Sequence, residues 1–116
     1  MCISANLDIS VHGFGSTVEV TLTGELDIAS DRRLSETLKQ VADGTTTNVV
    51  IDLRGVTLMD SAGLRWLITA DALSQTEGFR LWIVRAPGVV ERTLAATGMD
   101  ARLPIVDRPP VLEQQS

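Results

Sequence analysis

The stretch Val49-Val50-Ile51-Asp52-Leu53-Arg54-Gly55-Val56-Thr57-Leu58-Met59-Asp60-Ser61-Ala62-Gly63-Leu64 decides the fold. Its first part is dense in apolar, mostly β-branched side chains. Such a run, Val49, Val50, Ile51 and Leu53, reads as a central strand covered on both faces. Gly55 to Ser61 then reads as a loop. Beyond it, Leu64, Leu67, Ile68 and Leu73 place an apolar stripe on one face of a helix that Gly78 ends. A helix leading into this strand and another leaving it imply parallel crossovers.

The pattern extends in both directions. Downstream, Phe79, Leu81, Trp82, Ile83 and Val84 form another strongly apolar strand. Pro87 stands where a helix can begin, and Val90, Leu94 and Ala95 continue it up to Gly98. Leu103, Ile105 and Val106 add a short strand, which Pro104 places at a sheet edge. Upstream, Ser30 or Asp31 caps a helix carrying Leu34, Leu38 and Val41, with Gly44 as its C-cap. Before that helix, Leu7, Ile9 and Val11 alternate with polar residues, and so do Val18, Val20 and Leu22. The turn material His12-Gly13-Phe14-Gly15-Ser16 between them predicts a β-hairpin. Gly24-Glu25-Leu26-Asp27 breaks the alternation and reads as a loop, with Glu25 a solvated charge.

The order ββαβαβα with a short final strand predicts an α/β fold. Its mixed sheet has four to five strands, with an N-terminal hairpin, parallel right-handed crossovers and helices mainly on one face. A chain of 116 residues fits one domain. We place it over residues 1–107, with 108–116 as a flexible C-terminal tail.

Composition removes several classes of function. One cysteine, Cys2, allows no internal disulfide and no Cys-based zinc site. One histidine, His12, supplies no His-rich metal site, and it lies in a hairpin loop unsuited to a catalytic triad. A net charge of −5 disfavours binding to a phosphate backbone. No apolar run reaches the ~20 residues of a membrane helix, and the N-terminus has no signal-peptide pattern. No phosphate loop, GxGxxG or GxSxG motif is present. The expectation is a cytoplasmic, non-enzymatic protein without metal or cofactor.

The most distinctive chemistry lies in Asp60-Ser61-Ala62-Gly63-Leu64, at the entrance of the central helix. The first N–H groups of a helix lack internal partners, and its dipole is positive there. Ser61 at this point caps the helix, which is the commonest role of such a serine, and Asp60 is the alternative N-cap. The same geometry suits a phosphate carried by the serine. Trp66 reads first as a core residue, like its neighbours, and second as an exposed interface anchor.

Residues 49–64 resemble the phosphorylation segment of STAS-domain anti-sigma factor antagonists. In that family an apolar strand, "DL" or similar and a short loop precede DS, then Ser, Ala or Thr, then GL. Gly24-Glu25-Leu26-Asp27 is similar to the family's GELD element, and the likeness spans about Leu7 to Val106. The resemblance implies the STAS fold and a bacterial transcription regulator. It implies that Ser61 is phosphorylated by the partner, an anti-sigma factor with serine kinase activity. Asp60 matches the adjacent acid, and Asp27 the aspartate whose loop lies near. Met59, Ala62 and Gly63 complete the phosphorylation and partner-binding loop. The unphosphorylated form would bind the anti-sigma factor and release the sigma factor, phosphorylation would block this, and a phosphatase would restore it. No nucleic acid or membrane contact is implied, and a monomer is expected. The alternative is a STAS regulatory subunit of a transporter or lipid-transport complex.

Overall fold

The computed structural model describes residues 6–111. Cys2 and residues 112–116 of the expected tail lie outside this range. The elements are β1 (Leu7–Phe14), β2 (Thr17–Leu26), a 3-10 turn (Ile28–Ser30), α1 (Asp31–Val41), β3 (Asn48–Met59), α2 (Ser61–Glu77), β4 (Arg80–Val84), α3 (Val89–Ala96) and β5 (Ile105–Val106). They build one five-stranded sheet in the order β1-β2-β3-β4-β5. β1 runs antiparallel to β2, and the other neighbours are parallel. This is the mixed sheet with hairpin and crossovers that the residue pattern predicts.

Sheet register explains where the helices lie. Val20 pairs with Ile51 and Ile51 with Ile83, so these side chains share one face. That face, with Leu22, Val49, Leu53 and Leu81, packs against Leu34 and Leu38 of α1, Trp66 and Leu67 of α2, and Val90 and Leu94 of α3 in one core. The opposite face carries Glu19, Thr21, Val50, Asp52 and Trp82. There the buried Asp52 carboxylate is held by Arg54, with Nη2 2.8 Å from Oδ2 and Nε and the backbone N–H each 3.0 Å from Oδ1. Burial pushes the Asp52 carboxyl up, but these hydrogen bonds and the Arg54 charge outweigh it and hold the group below its ordinary value.

Several boundaries differ from the sequence reading. The hairpin loop is only Gly15-Ser16, because Gly15 takes a positive φ of 62° at the first turn position and so matches the strand twist. His12 to Phe14 therefore pair with Glu19 to Thr17. Gly55 to Met59 is strand rather than loop, and Gly24 to Leu26 extends β2, so Glu25 is a half-buried strand residue. These segments pair with each other across two register shifts, which break the period of two that marks a strand. Gly24 makes one shift feasible. Its φ is 111°, and a side chain there would strike the Asn6 carbonyl, which receives the Glu25 N–H at 2.7 Å.

Helix ends also shift. α1 starts at Asp31, but Ser30 makes no capping bond, and Asp27 caps the preceding 3-10 turn instead. The C-cap of α1 is Ala42, not Gly44. α3 begins at Val89, after Pro87-Gly88. The buried face of α2 is Ala62, Gly63, Trp66, Leu67, Ala70 and Ser74, while Ile68 is exposed. Leu64 and Leu73 pack half-buried against the core beside it, so of the expected stripe only Ile68 turns outward, and small residues complete the face. Among the described residues no helix is long and apolar enough to cross a membrane, and no cluster of potential metal ligands occurs.

Candidate functional site

The C-terminal ends of β2 and β3 and the start of α2 meet at one end of the sheet. Leu26 pairs with Met59, the last residues of their strands. Asp60 follows in extended conformation and caps α2, its Oδ1 accepting the N–H groups of Ala62 at 2.9 Å and Gly63 at 3.2 Å. Its other oxygen, Oδ2, accepts the Ile28 N–H at 3.3 Å. Its own N–H donates to the Leu26 carbonyl at 3.2 Å. One aspartate thus ends β3, starts α2 and ties both to the 3-10 turn. Asp27 stabilises that turn from the other side, its Oδ1 accepting the Ala29 N–H at 3.1 Å.

The N-cap is therefore Asp60, and Ser61 is the first residue inside the helix. Two backbone donors that a serine oxygen or a phosphate could have used are already occupied. Ser61 is exposed, and among the described residues its hydroxyl has no hydrogen-bond partner. The sequence brought six residues to this loop, and the structure divides them into two layers. Ser61 and Asp60 face solvent and Asp27 is half-buried. Met59, Ala62 and Gly63 are buried, so they shape the surface from beneath rather than offering side chains to a partner.

Gly63 shows how tight that lower layer is. A Cβ there would lie 2.6 Å from the Leu26 carbonyl oxygen and 3.0 Å from Met59 Cγ. Glycine is needed because α2 enters against the end of β2. Trp66 is a core residue, only 4% exposed, and its indole N–H donates to the Leu34 carbonyl at 3.0 Å. It pins α2 to α1 one turn behind Ser61 and offers no interface anchor. Arg54 is committed to Asp52, whereas Arg65 is exposed on α2.

The sequence reading missed Ile28. This side chain is 71% exposed, on a turn held to Asp60. Its only signal is an isoleucine standing outside the helical spacing that starts at Leu34. Two clefts lie elsewhere: one of about 290 Å³ between α1 and α2, lined by Leu38 and Trp66, and one of about 390 Å³ beside Ile68 and Leu103. Neither includes Asp27, Asp60 or Ser61.

Fold and site together define a STAS-type domain, and comparison with known proteins agrees. Residues 9–107 match a family model described as "Mlab, STAS domain". An anti-sigma-B factor antagonist of Staphylococcus aureus is 30% identical over 95 residues, covering 81% of this chain and 87% of that protein. An anti-sigma factor antagonist from Mycobacterium paratuberculosis superposes with a TM-score of 0.75 at 24% identity, covering 91% of this chain and 92% of that one. The Bacillus cell fate determinant SpoIIAA, solved in its phosphorylated form, gives 0.70 at 15% identity, covering 88% and 92%. The chain belongs to the STAS-domain family of anti-sigma factor antagonists.

Proposed function

We propose that this chain is an anti-sigma factor antagonist whose affinity for its partner is set by the covalent state of Ser61. Unmodified, it binds an anti-sigma factor and thereby frees a sigma factor. The anti-sigma factor acts as the serine kinase that modifies Ser61, and a phosphatase reverses the reaction. The observation that carries this reading is the exposed, uncommitted Ser61 hydroxyl at the start of α2, beside the Asp60 carboxylate. The S. aureus relative, named an anti-sigma-B factor antagonist, supports the partner class. SpoIIAA, of similar fold and solved in unphosphorylated and phosphorylated forms, supports the modification.

The physics is local. A serine hydroxyl is cheap to desolvate when a partner covers it. A phosphate adds about −1.5 to −2 charges in an already acidic chain. At Ser61 it would stand next to Asp60, with Asp27 on the adjoining turn. The Ala62 and Gly63 N–H groups are held by Asp60 and are not free to neutralise it. Docking would then leave an unpaired charge in the interface, which costs several kcal/mol. A loss of about 4 kcal/mol corresponds to roughly a 10³-fold weaker complex. The fold itself need not change.

Incubation with the kinase anti-sigma factor and ATP, followed by mass spectrometry, is expected to place phosphate on Ser61. Ser61→Ala is expected to bind the partner and stay unmodified. Phosphate on another residue, with Ser61 untouched, contradicts the assignment. Co-purification of a transport ATPase in place of an anti-sigma factor would move the chain to the alternative role of a STAS regulatory subunit in a transport complex.

A further inference from the structure

We infer that Ile28 is the apolar anchor on which the anti-sigma factor docks, and that Asp60 holds it in place beside Ser61. The inference rests on the function proposed above and adds the residue that determines recognition. Its first support is exposure. Within the folded elements Ile28, at 71%, is the most exposed large apolar side chain; Val11, Leu58, Ile68 and Val89 range from 38% to 44%. Leu58, two residues before Asp60, adds a second exposed aliphatic group at the same end of the sheet.

The second support is rigidity. Asp27 and Asp60 brace the turn from two sides, through the Ala29 N–H at 3.1 Å and the Ile28 N–H at 3.3 Å, and the Ser30 N–H closes it onto the Asp27 carbonyl at 3.0 Å. A β-branched side chain on a fixed backbone loses little freedom when buried.

The third support is position. A kinase that reaches the Ser61 hydroxyl must cover the surface around it. A standard interface buries about 800 Å² per partner, a disc of about 16 Å radius. Ile28 is hydrogen-bonded to the side chain of the residue next to Ser61, well inside that disc. Anchors concentrate near interface centres, and polar groups form the rim. Charges of both signs flank it, Asp27, Asp31 and Asp60 with Arg32 and Arg65, so what the partner that reaches Ser61 must offer Ile28 is an apolar socket.

The test uses the full chain and the purified anti-sigma factor kinase, measuring both binding and Ser61 phosphorylation. Ile28→Ala is expected to weaken binding about tenfold, Ile28→Asp about 100-fold, and Ile28→Leu less than about threefold. The KM for phosphorylation should rise in the same order with kcat unchanged, because Ile28 docks the partner and does not touch the hydroxyl. Val11→Asp, an equally polar change at an exposed site on β1, should leave both unchanged. Unfolding by urea checks that every variant is folded. Wild-type affinity in Ile28→Asp, with Ser61 still phosphorylated, overturns the inference and leaves the Ser61 reading standing. Equal weakening by Val11→Asp also overturns it. Neither binding nor phosphorylation in the parent chain overturns both.

Discussion

Replacing Gly63 by alanine should destabilise the fold even though alanine is the better helix former. Gly63 is the third residue of α2. A Cβ there would lie 2.6 Å from the Leu26 carbonyl oxygen and 2.8 Å from Leu26 Cγ, where ordinary contact begins near 3.4 Å. The helix entrance would have to retreat from a carbonyl that also receives the Asp60 N–H at 3.2 Å. Overpacking costs about 1–3 kcal/mol, and the upper half of that range, about 2–3 kcal/mol, applies where the obstacle is a backbone carbonyl. The helical advantage of alanine over glycine returns at most about 1 kcal/mol. The net expectation is a loss of about 1–2 kcal/mol, or roughly a 1 M lower urea midpoint with an unchanged slope. Hydrogen exchange at the Ile28 amide should quicken, since its acceptor moves with the helix. Gly13→Ala is the reference: nothing lies within 4 Å of its added Cβ and its φ is not positive. That change should be neutral or stabilise by up to about 1 kcal/mol through the unfolded chain. A Gly63→Ala variant as stable as its parent would refute the tight seating of α2 on β2.

Two further predictions follow from the same end of the sheet and from its opposite face. Asp60→Ala removes both the cap and the tie to Ile28 and should cost about 1–2 kcal/mol in urea unfolding, whereas Asp60→Asn keeps an acceptor oxygen and should cost less than half of that. The Asp52 carboxyl titrates below its unfolded value of about 3.9. Its ionised form therefore contributes stability above about pH 4, and that contribution disappears as pH falls through the lower, folded value. Arg54 is half exposed, so the contribution is modest, about 1 kcal/mol. Asp52→Asn should be less stable at pH 7 and lose less on acidification; an unaltered acid limb in the denaturation curve would contradict the ion pair.

The parts of the fold legible in the sequence are those with a clean period. Val20 and Leu22 alternate, Val49, Val50, Ile51 and Leu53 form a dense apolar run around Asp52, and Leu34, Leu38 and Val41 recur at helical spacing, so strand, crossover and helix order followed directly. The far ends of β2 and β3 were not legible, because the register shifts around Thr23 and Gly24 destroy the alternation that identifies a strand. Asp60 and Ser61 are both good caps and adjacent, so composition could not choose between them; the extended backbone at Asp60 decides it. Trp66 was readable as core from its apolar neighbours. Of the stripe expected on α2, Leu67 is buried and Leu64 and Leu73 pack half-buried on the core; only Ile68 departs from it, and Ala70 and Ser74, which carry no strong apolar signal, complete the buried face. Ile28 was invisible for a related reason, since a lone isoleucine in a short turn carries no period, and only the tertiary placement shows that it faces outward.

In the function proposed above, a charge at the Ser61 oxygen decides whether two protein surfaces meet. Calorimetric titration of the anti-sigma factor with unmodified chain and with chain phosphorylated at Ser61 measures it directly. The expected result is a complex weakened by about 10³-fold on phosphorylation. Equal affinity of the two forms would contradict it.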